Sequence, residues 1–295
     1  MNRYATLIGI LAAVWGASYL FIKVAVEGGL PPAPLMAMRA LIAAICLFAF
    51  LAATTGGRTA VRDLRESWRR WAPLGAVANA LPFWLVAWGE QHIDSGIAAI
   101  AQSTVPLFTI LLGLRFLPHE PLGMTRATGI AVGLVGVGVL AGAHPEGGGW
   151  AVAGMLAVVL SSLAYASGNV LGQRNIAAIP GPVLACGAMI SATVTLAPFA
   201  LLALPDVDPT AGAVASLLLL AFLGTALAQL VLYRVIRLYG SRRLSLVTYL
   251  LPAVALGYGA LLLDEPITPS SLAGLALILG GVALGSGALG RRTAT

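Results

Sequence analysis

The chain has 295 residues, a mean hydropathy of +0.93 and a charged share of only 9%. Water-facing domains carry about 25% charged residues, so this composition excludes a soluble globular protein and predicts an all-α polytopic membrane protein. The net charge of +6 does not point to nucleic acid, because the basic residues cluster in short polar segments between apolar runs.

The first run, near 4–26, follows MNRY where a secretory leader would sit. Its length and the many runs after it make it a first span. Trp15 and Tyr19 share one of its faces, with Ser18 beside them, and Lys23 lies toward its far end. The second run, 34–54, holds Arg39 and Cys46. Residues 55–70, TGGRTAVRDLRESWRR, form the longest polar piece, read as a surface helix or loop whose arginines meet anionic headgroups. The third run, 71–90, places Asn79 mid-membrane, followed by Pro82, Trp84 and Trp88, and ends at Glu90. The fourth, 95–115, carries Gln102 and Ser103 before Pro106. The fifth, 121–142, is glycine-rich. The sixth, 150–172, sets Ser162, Tyr165 and Asn169 along one stripe. The seventh, 180–204, contains Cys186. The eighth, 213–236, bears Gln229 and Tyr233. The ninth, 243–263, offers Thr248, Tyr249, Pro252 and Tyr258. The tenth, 268–289, repeats the glycine pattern of the fifth. Each run is about long enough to cross ~30 Å of hydrocarbon as a helix.

Placing the N-terminus in the cytoplasm puts fifteen of the seventeen basic residues on the inner side, from Arg3 to Arg292. The other two, Lys23 and Arg39, lie inside spans toward the outer side. The outer segments collect Glu27, Glu90, Asp94, Glu146, Asp206, Asp208, Asp264 and Glu265. The positive-inside rule then predicts that both termini are cytoplasmic.

HEPLG at 119–123 and DEPIT at 264–268 each follow a long apolar run. PLFTILLGLRFLPHE aligns with PAVALGYGALLLDE, and GILAAVWGAS at 9–18 with GMLAVVLSSL at 154–163, an offset of about 145 residues. Five spans per copy make the second copy inverted. The expected fold is ten transmembrane helices in two inverted five-helix repeats, 1–147 and 148–295, forming one transport unit. Glu120 then lies at the cytoplasmic side and Glu265 at the outer side. Both read as cap and turn residues, with a gating or coupling role as the alternative.

The segments AAVWGASYLFIKVAV, LMAMRALIAA, TVPLFTILLGLRFLPHEPL and LLPAVALGYGALLLDEPIT resemble the EamA-type, ten-helix members of the drug/metabolite transporter superfamily. The resemblance covers nearly the whole chain. It implies a secondary transporter of the bacterial inner membrane, similar to exporters of aromatic and other neutral amino acids. The second copy lacks counterparts of the same type for Trp15, Lys23 and Arg39.

A solute path requires polar and amphipathic aromatic residues at depth. Trp15, Tyr19, Asn79, Trp84, Gln102, Tyr165, Asn169, Gln229 and Tyr249 are the candidates for lining it. The alternative for each is interhelical hydrogen bonding. Trp88 and Tyr4 read as interfacial belt residues. Lys23, Arg39, Glu90, Glu120 and Glu265 are candidates for gating or charge pairing. Lys23 and Arg39 either snorkel outward and pair with Glu27, Glu90 or Glu265, or form an outer gate or a contact for a substrate carboxylate. No acid lies clearly at mid-membrane, which weakens a simple proton-antiport scheme. Neither a metal-ligand spacing nor a P-loop occurs, and the cysteines Cys46 and Cys186 read as buried thiols, so no cofactor is expected. An intramembrane enzyme would need convergent catalytic groups at depth, and a channel a ring-like filter. The expected partners are a small solute, an amino acid by the resemblance, and the lipid bilayer. Glycines at four-residue spacing in runs five and ten read as scaffold within a monomer, with a homodimer seam as the alternative.

Overall fold

A computed structural model describes residues 3–116, 123–142, 148–176, 179–204, 207–239 and 246–285. The described residues form helices α1 (Arg3–Glu27), α2 (Pro32–Thr55), α3 (Gly57–Gly75), α4 (Leu81–Gly89), α5 (Ser95–Gln102), α6 (Val105–Phe116), α7 (Met124–Ala141), α8 (Gly148–Ile176), α9 (Gly181–Leu202), α10 (Ala211–Ala221), α11 (Ala228–Tyr239), α12 (Leu246–Leu262) and α13 (Pro269–Gly285). Two π-helical turns, Ala76–Ala80 and Phe222–Leu227, join α3 to α4 and α10 to α11. Among the described residues, eight helices, against the ten spans expected, are long and apolar enough to cross a membrane. Val247–Leu262 and Pro269–Gly285 are shorter apolar helices. Large apolar side chains such as Ile45, Val194, Phe199 and Leu261 stand exposed around the bundle, as lipid contact requires.

Two expected elements take a different form. The polar stretch 55–70 is not a separate surface piece, because α3 runs on through the first π turn into α4, a continuous span Gly57–Gly89. Its amphipathic first turns explain this: Ala60 and Leu64 are buried, while Arg58, Arg62, Arg65, Arg69 and Arg70 face outward. The fourth run is broken at Ser103 and Thr104, between α5 and α6. Pro106 has no N–H to return to Gln102, so the α-helical ladder fails there.

The packing is inverted-repeat-like. α2 lies on α9 and α7 on α13; α1 packs on α12, α10 and α11, whereas α8 packs on α6, α5 and α4. The halves correspond in part: α12 on α1 matches α5 and α6 on α8, and α11 on α1 matches α4 on α8. Between α7 and α13 the backbones touch. A Cβ on Gly129 would sit 2.6 Å from the Gly281 carbonyl oxygen, and one on Gly281 2.5 Å from that of Gly129. The expected scaffold glycines therefore meet each other within the chain, although Gly138 has no neighbour within 4 Å.

The acids of four turns gather at one end of the bundle. There the Gly28 carbonyl accepts from the Thr210 amide (2.8 Å), and the Gly29 carbonyl from Asp208 (3.3 Å). Gly29 has φ +90°, a value open to glycine.

Candidate functional site

A cavity of about 260 Å³ lies between α1, α2, α4, α5, α6, α8, α11, α12 and both π turns. Its walls are built from equivalent positions of the two halves. Tyr19 and Tyr165, Asn79 and Thr225, Phe83 and Gln229, Gln102 and Thr248, and Val105 and Leu251 all line it, and the members of every pair are 146 residues apart. Trp15, Ser18, Ile22 and Arg39 add an asymmetric share from the first half. Each π turn brings a polar side chain to the cavity, Asn79 from one and Thr225 from the other. A π turn widens the helix and frees carbonyls, a distortion frequent at functional sites. Pro82 accounts for the first, since it cannot donate to the turn before it. No proline stands at the second.

Arg39 dominates the electrostatics. It is 7% exposed, and its guanidinium lies 4.0 Å from the centre of the Phe83 ring. Its Nε donates to Thr225 Oγ1 (2.8 Å), and one terminal nitrogen approaches Met36 Sδ (3.6 Å). The remaining terminal N–H groups have no protein acceptor, and no carboxylate lies within ion-pair distance among the described residues. Arg39 therefore neither snorkels nor pairs with Glu27, Glu90 or Glu265, as one expectation had it. It sits too deep, under Phe83 and Thr225. Two amide atoms nearby also lack partners among the described residues: Gln102 Nε2, a donor, and Gln229 Oε1, an acceptor. Ser161 Oγ, whose one proton is shared with Val158 O, lies 2.8 Å from Gln102 Oε1 and fixes the amide's orientation.

At the acidic end Lys23 Nζ donates to the backbone carbonyls of Glu90 (2.9 Å) and Ile93 (3.1 Å) and pairs with Glu27 (3.1 Å). This is the pairing account for Lys23, with Glu27 as its acid. Glu265 accepts from the Ser95 and Gly96 amides (2.7 and 3.0 Å) and from Ser95 Oγ (2.9 Å). It caps the first turn of α5 from the other half of the chain, where the helix dipole favours a negative charge. Glu90 is completely buried, and among the described residues neither carboxylate oxygen has a hydrogen-bond partner.

Six of the nine cavity candidates, Trp15, Tyr19, Asn79, Gln102, Tyr165 and Gln229, line this one space. Trp84 does not. The lining stripe of its span is Asn79, Phe83 and Val86, at i, i+4 and i+7, and Trp84 is about 100° further round. It stacks on Trp88 (6.5 Å), which continues through His92 to Trp150 on the flank of the bundle. Tyr249 borders a separate, shallow apolar recess beside Tyr4 and Leu250, one position away from the lining Thr248. The Asn169 side chain and Glu120 lie outside the described residues. Sequence reading missed Phe83 and Thr225. Counting 146 residues from Asn79 reaches Thr225, so the repeat itself carried the signal.

Over 287 residues the chain is 28% identical to a "Probable amino-acid metabolite efflux pump" of Salmonella typhimurium (strain LT2), covering 92% of this chain and 91% of that protein. It is 33% identical over 170 residues to the "Uncharacterized inner membrane transporter YedA" of Escherichia coli (strain K12), a match spanning 56% of this chain and 51% of that one. An "Uncharacterized transporter" of Archaeoglobus fulgidus is 27% identical over 96% of this chain and 98% of its own length. One solved crystal structure superposes with a TM-score of 0.71 over 99% of both chains; at 22% identity this shows a shared fold alone. The model of the "EamA-like transporter family" matches twice, at residues 3–142 and 152–286. With both matches together taking in nearly the whole sequence, the chain belongs to the EamA-like transporter family, a family of transporters and not of enzymes.

Proposed function

We propose that this transporter exports small neutral or zwitterionic metabolites, amino acids including aromatic ones, by alternating access around the central cavity. In this reading two inverted five-helix units, 1–147 and 148–295, enclose the solute in a bacterial inner membrane, with both termini in the cytoplasm. The acidic end of the bundle then faces outward.

The observation that carries the reading is Arg39. A buried cation with free donors and no acid partner is costly alone, and a solute carboxylate completes it in the bidentate geometry arginine favours. Gln229 Oε1 supplies an acceptor for an ammonium group and Gln102 Nε2 a further donor. Trp15, Tyr19, Phe83 and Tyr165 supply an apolar aromatic surface for a side chain. The efflux pump named above, similar over nearly its full length, supports the same class of cargo.

The test is efflux from proteoliposomes loaded with labelled phenylalanine, threonine or a cationic drug. The two amino acids are expected to leave faster than from protein-free vesicles, and unlabelled amino acid to compete. Movement of the drug without movement of either amino acid overturns the reading.

A further inference from the structure

We propose that Glu90 is a proton-binding site, and that the acidic end of the bundle closes only when this site is filled. The proposal rests on the alternating-access reading above, but its test uses no transported solute, so the two can fail separately.

Glu90 follows the last residue of the span Gly57–Gly89. Its side chain is 0% exposed, and both carboxylate oxygens are without a hydrogen bond among the described residues. The adjacent cation does not relieve this. An ammonium has three protons, and Lys23 commits them to the Glu90 carbonyl, the Ile93 carbonyl and Glu27. Lys23 thus ties down the backbone of Glu90 while leaving its carboxyl unpaired.

The charges facing the carboxyl are Lys23 and Glu27 from α1, Arg39 from α2 and Glu265 from the turn before α13. His92 and Asp94 follow on its own turn, and the Tyr19 hydroxyl faces it from α1. Two cations oppose two acids, so the neighbours nearly cancel and dehydration decides. Burial pushes the Glu90 carboxyl well above the ordinary carboxylate range; Lys23 pulls it back, Glu265 pushes it further, and Arg39 and Glu27 act with smaller and opposite effects. An ionised carboxylate in this setting is far costlier than the neutral acid.

When the end opens and water reaches Glu90, the group reverts to ordinary behaviour, with a pKa of about 4.3. At neutral pH it then releases its proton to that water. Closing reverses the step: a proton from the same water binds one carboxylate oxygen before Lys23 re-forms its bonds to Glu90 and Ile93. The closed form holds the proton more tightly than the open form. Closure is therefore unopposed below the ordinary carboxylate value and increasingly opposed as the pH rises above it.

The experiment places a cysteine at buried Ile93 in purified, reconstituted protein. Its modification by a hydrophilic maleimide is followed by mass spectrometry from pH 5 to 8.5, normalised to a cysteine at exposed Val61. With Glu90 intact, normalised labelling should rise at least tenfold across this range. In Glu90→Gln, which carries the neutral shape permanently, it should stay low and flat; Glu90→Asp should keep a pH dependence. Thermal unfolding of the Gln variant, and its labelling at Val61→Cys, serve as the folding controls. Labelling that ignores pH in the parent protein, or that rises equally in folded Glu90→Gln, overturns the proposal.

Discussion

Arg39 donates through Nε to the hydroxyl of Thr225, 2.8 Å away, and that hydroxyl gives its own proton to the Leu220 carbonyl at 2.9 Å. The direction of both bonds is thereby fixed. A π turn in one half of the chain receives the only buried arginine among the described residues from the other half. The guanidinium is held from behind, with its terminal nitrogens left for the cavity.

Removing that guanidinium should weaken carboxylate-bearing solutes selectively. A hydrogen bond to a charged group is worth about 1.5–3 kcal/mol, so Arg39→Gln should lower phenylalanine affinity tenfold or more. Arg39→Lys should not restore it, because an ammonium lacks the planar fork. Competition by phenylalanine and by its carboxyl-free amine measures this: the variant should lose its preference for the former.

Thr225 should matter for stability as well as binding. Thr225→Val strands the Arg39 Nε–H, at about 1–3 kcal/mol for a buried unsatisfied group. Thr225→Ser keeps the hydroxyl and should stay within a few tenths of the parent. Thermal unfolding in detergent separates the two.

The tryptophans should divide. Trp15 lines the cavity and Trp84 stacks outside it. Trp15→Ala should change the efflux ratio of phenylalanine to threonine several-fold, while Trp84→Ala should leave that ratio unchanged even if total flux falls. Parallel efflux assays on both variants provide the check.

Glu265→Ala removes the acceptor for the Ser95 and Gly96 amides. Loss of a helix cap costs about 0.5–2 kcal/mol. Hydrogen exchange over residues 95–98 should accelerate, with α7 and α13 unaffected.

A leucine at Gly129 should be much worse than one at Gly138. The first meets the α13 backbone, whereas the second meets nothing within 4 Å. Overpacking a fitted interface costs about 1–3 kcal/mol or more, readable as a lower unfolding temperature for Gly129→Leu only.

Much of this architecture was legible in the sequence because lipid imposes simple demands. Apolar length marked the spans, though not the polar start of α3 or the break between α5 and α6, and the matched HEPLG and DEPIT segments pointed to the relation between the halves. What periodicity could not supply was the fine rotation of each helix. Trp84 and Tyr249 were each one position from a lining residue, an error of about 100°, and a helix that is apolar all round gives no stripe to correct it. The π turns had no sequence signal beyond Pro82. Arg39 was placed inside a span with snorkelling as one of its readings, but its partner came from the far half, 186 residues on, where no local rule reaches. Glu90 was named as a candidate for gating or charge pairing, but sequence position shows the end of a span and not the depth at which the next turn is covered.

The contact of Gly129 with Gly281 also restricts how this sequence can diverge. Two similar units joined in one chain are free to accumulate different side chains wherever each faces its own surroundings, as Arg39 and its counterpart Ala185 illustrate. At the α7–α13 crossing each unit is the other's surroundings. A methyl group gained on one helix has to be matched by space on the other, so mutations there should be inherited in compensating pairs, and the crossing should preserve the oldest shared features of the two halves.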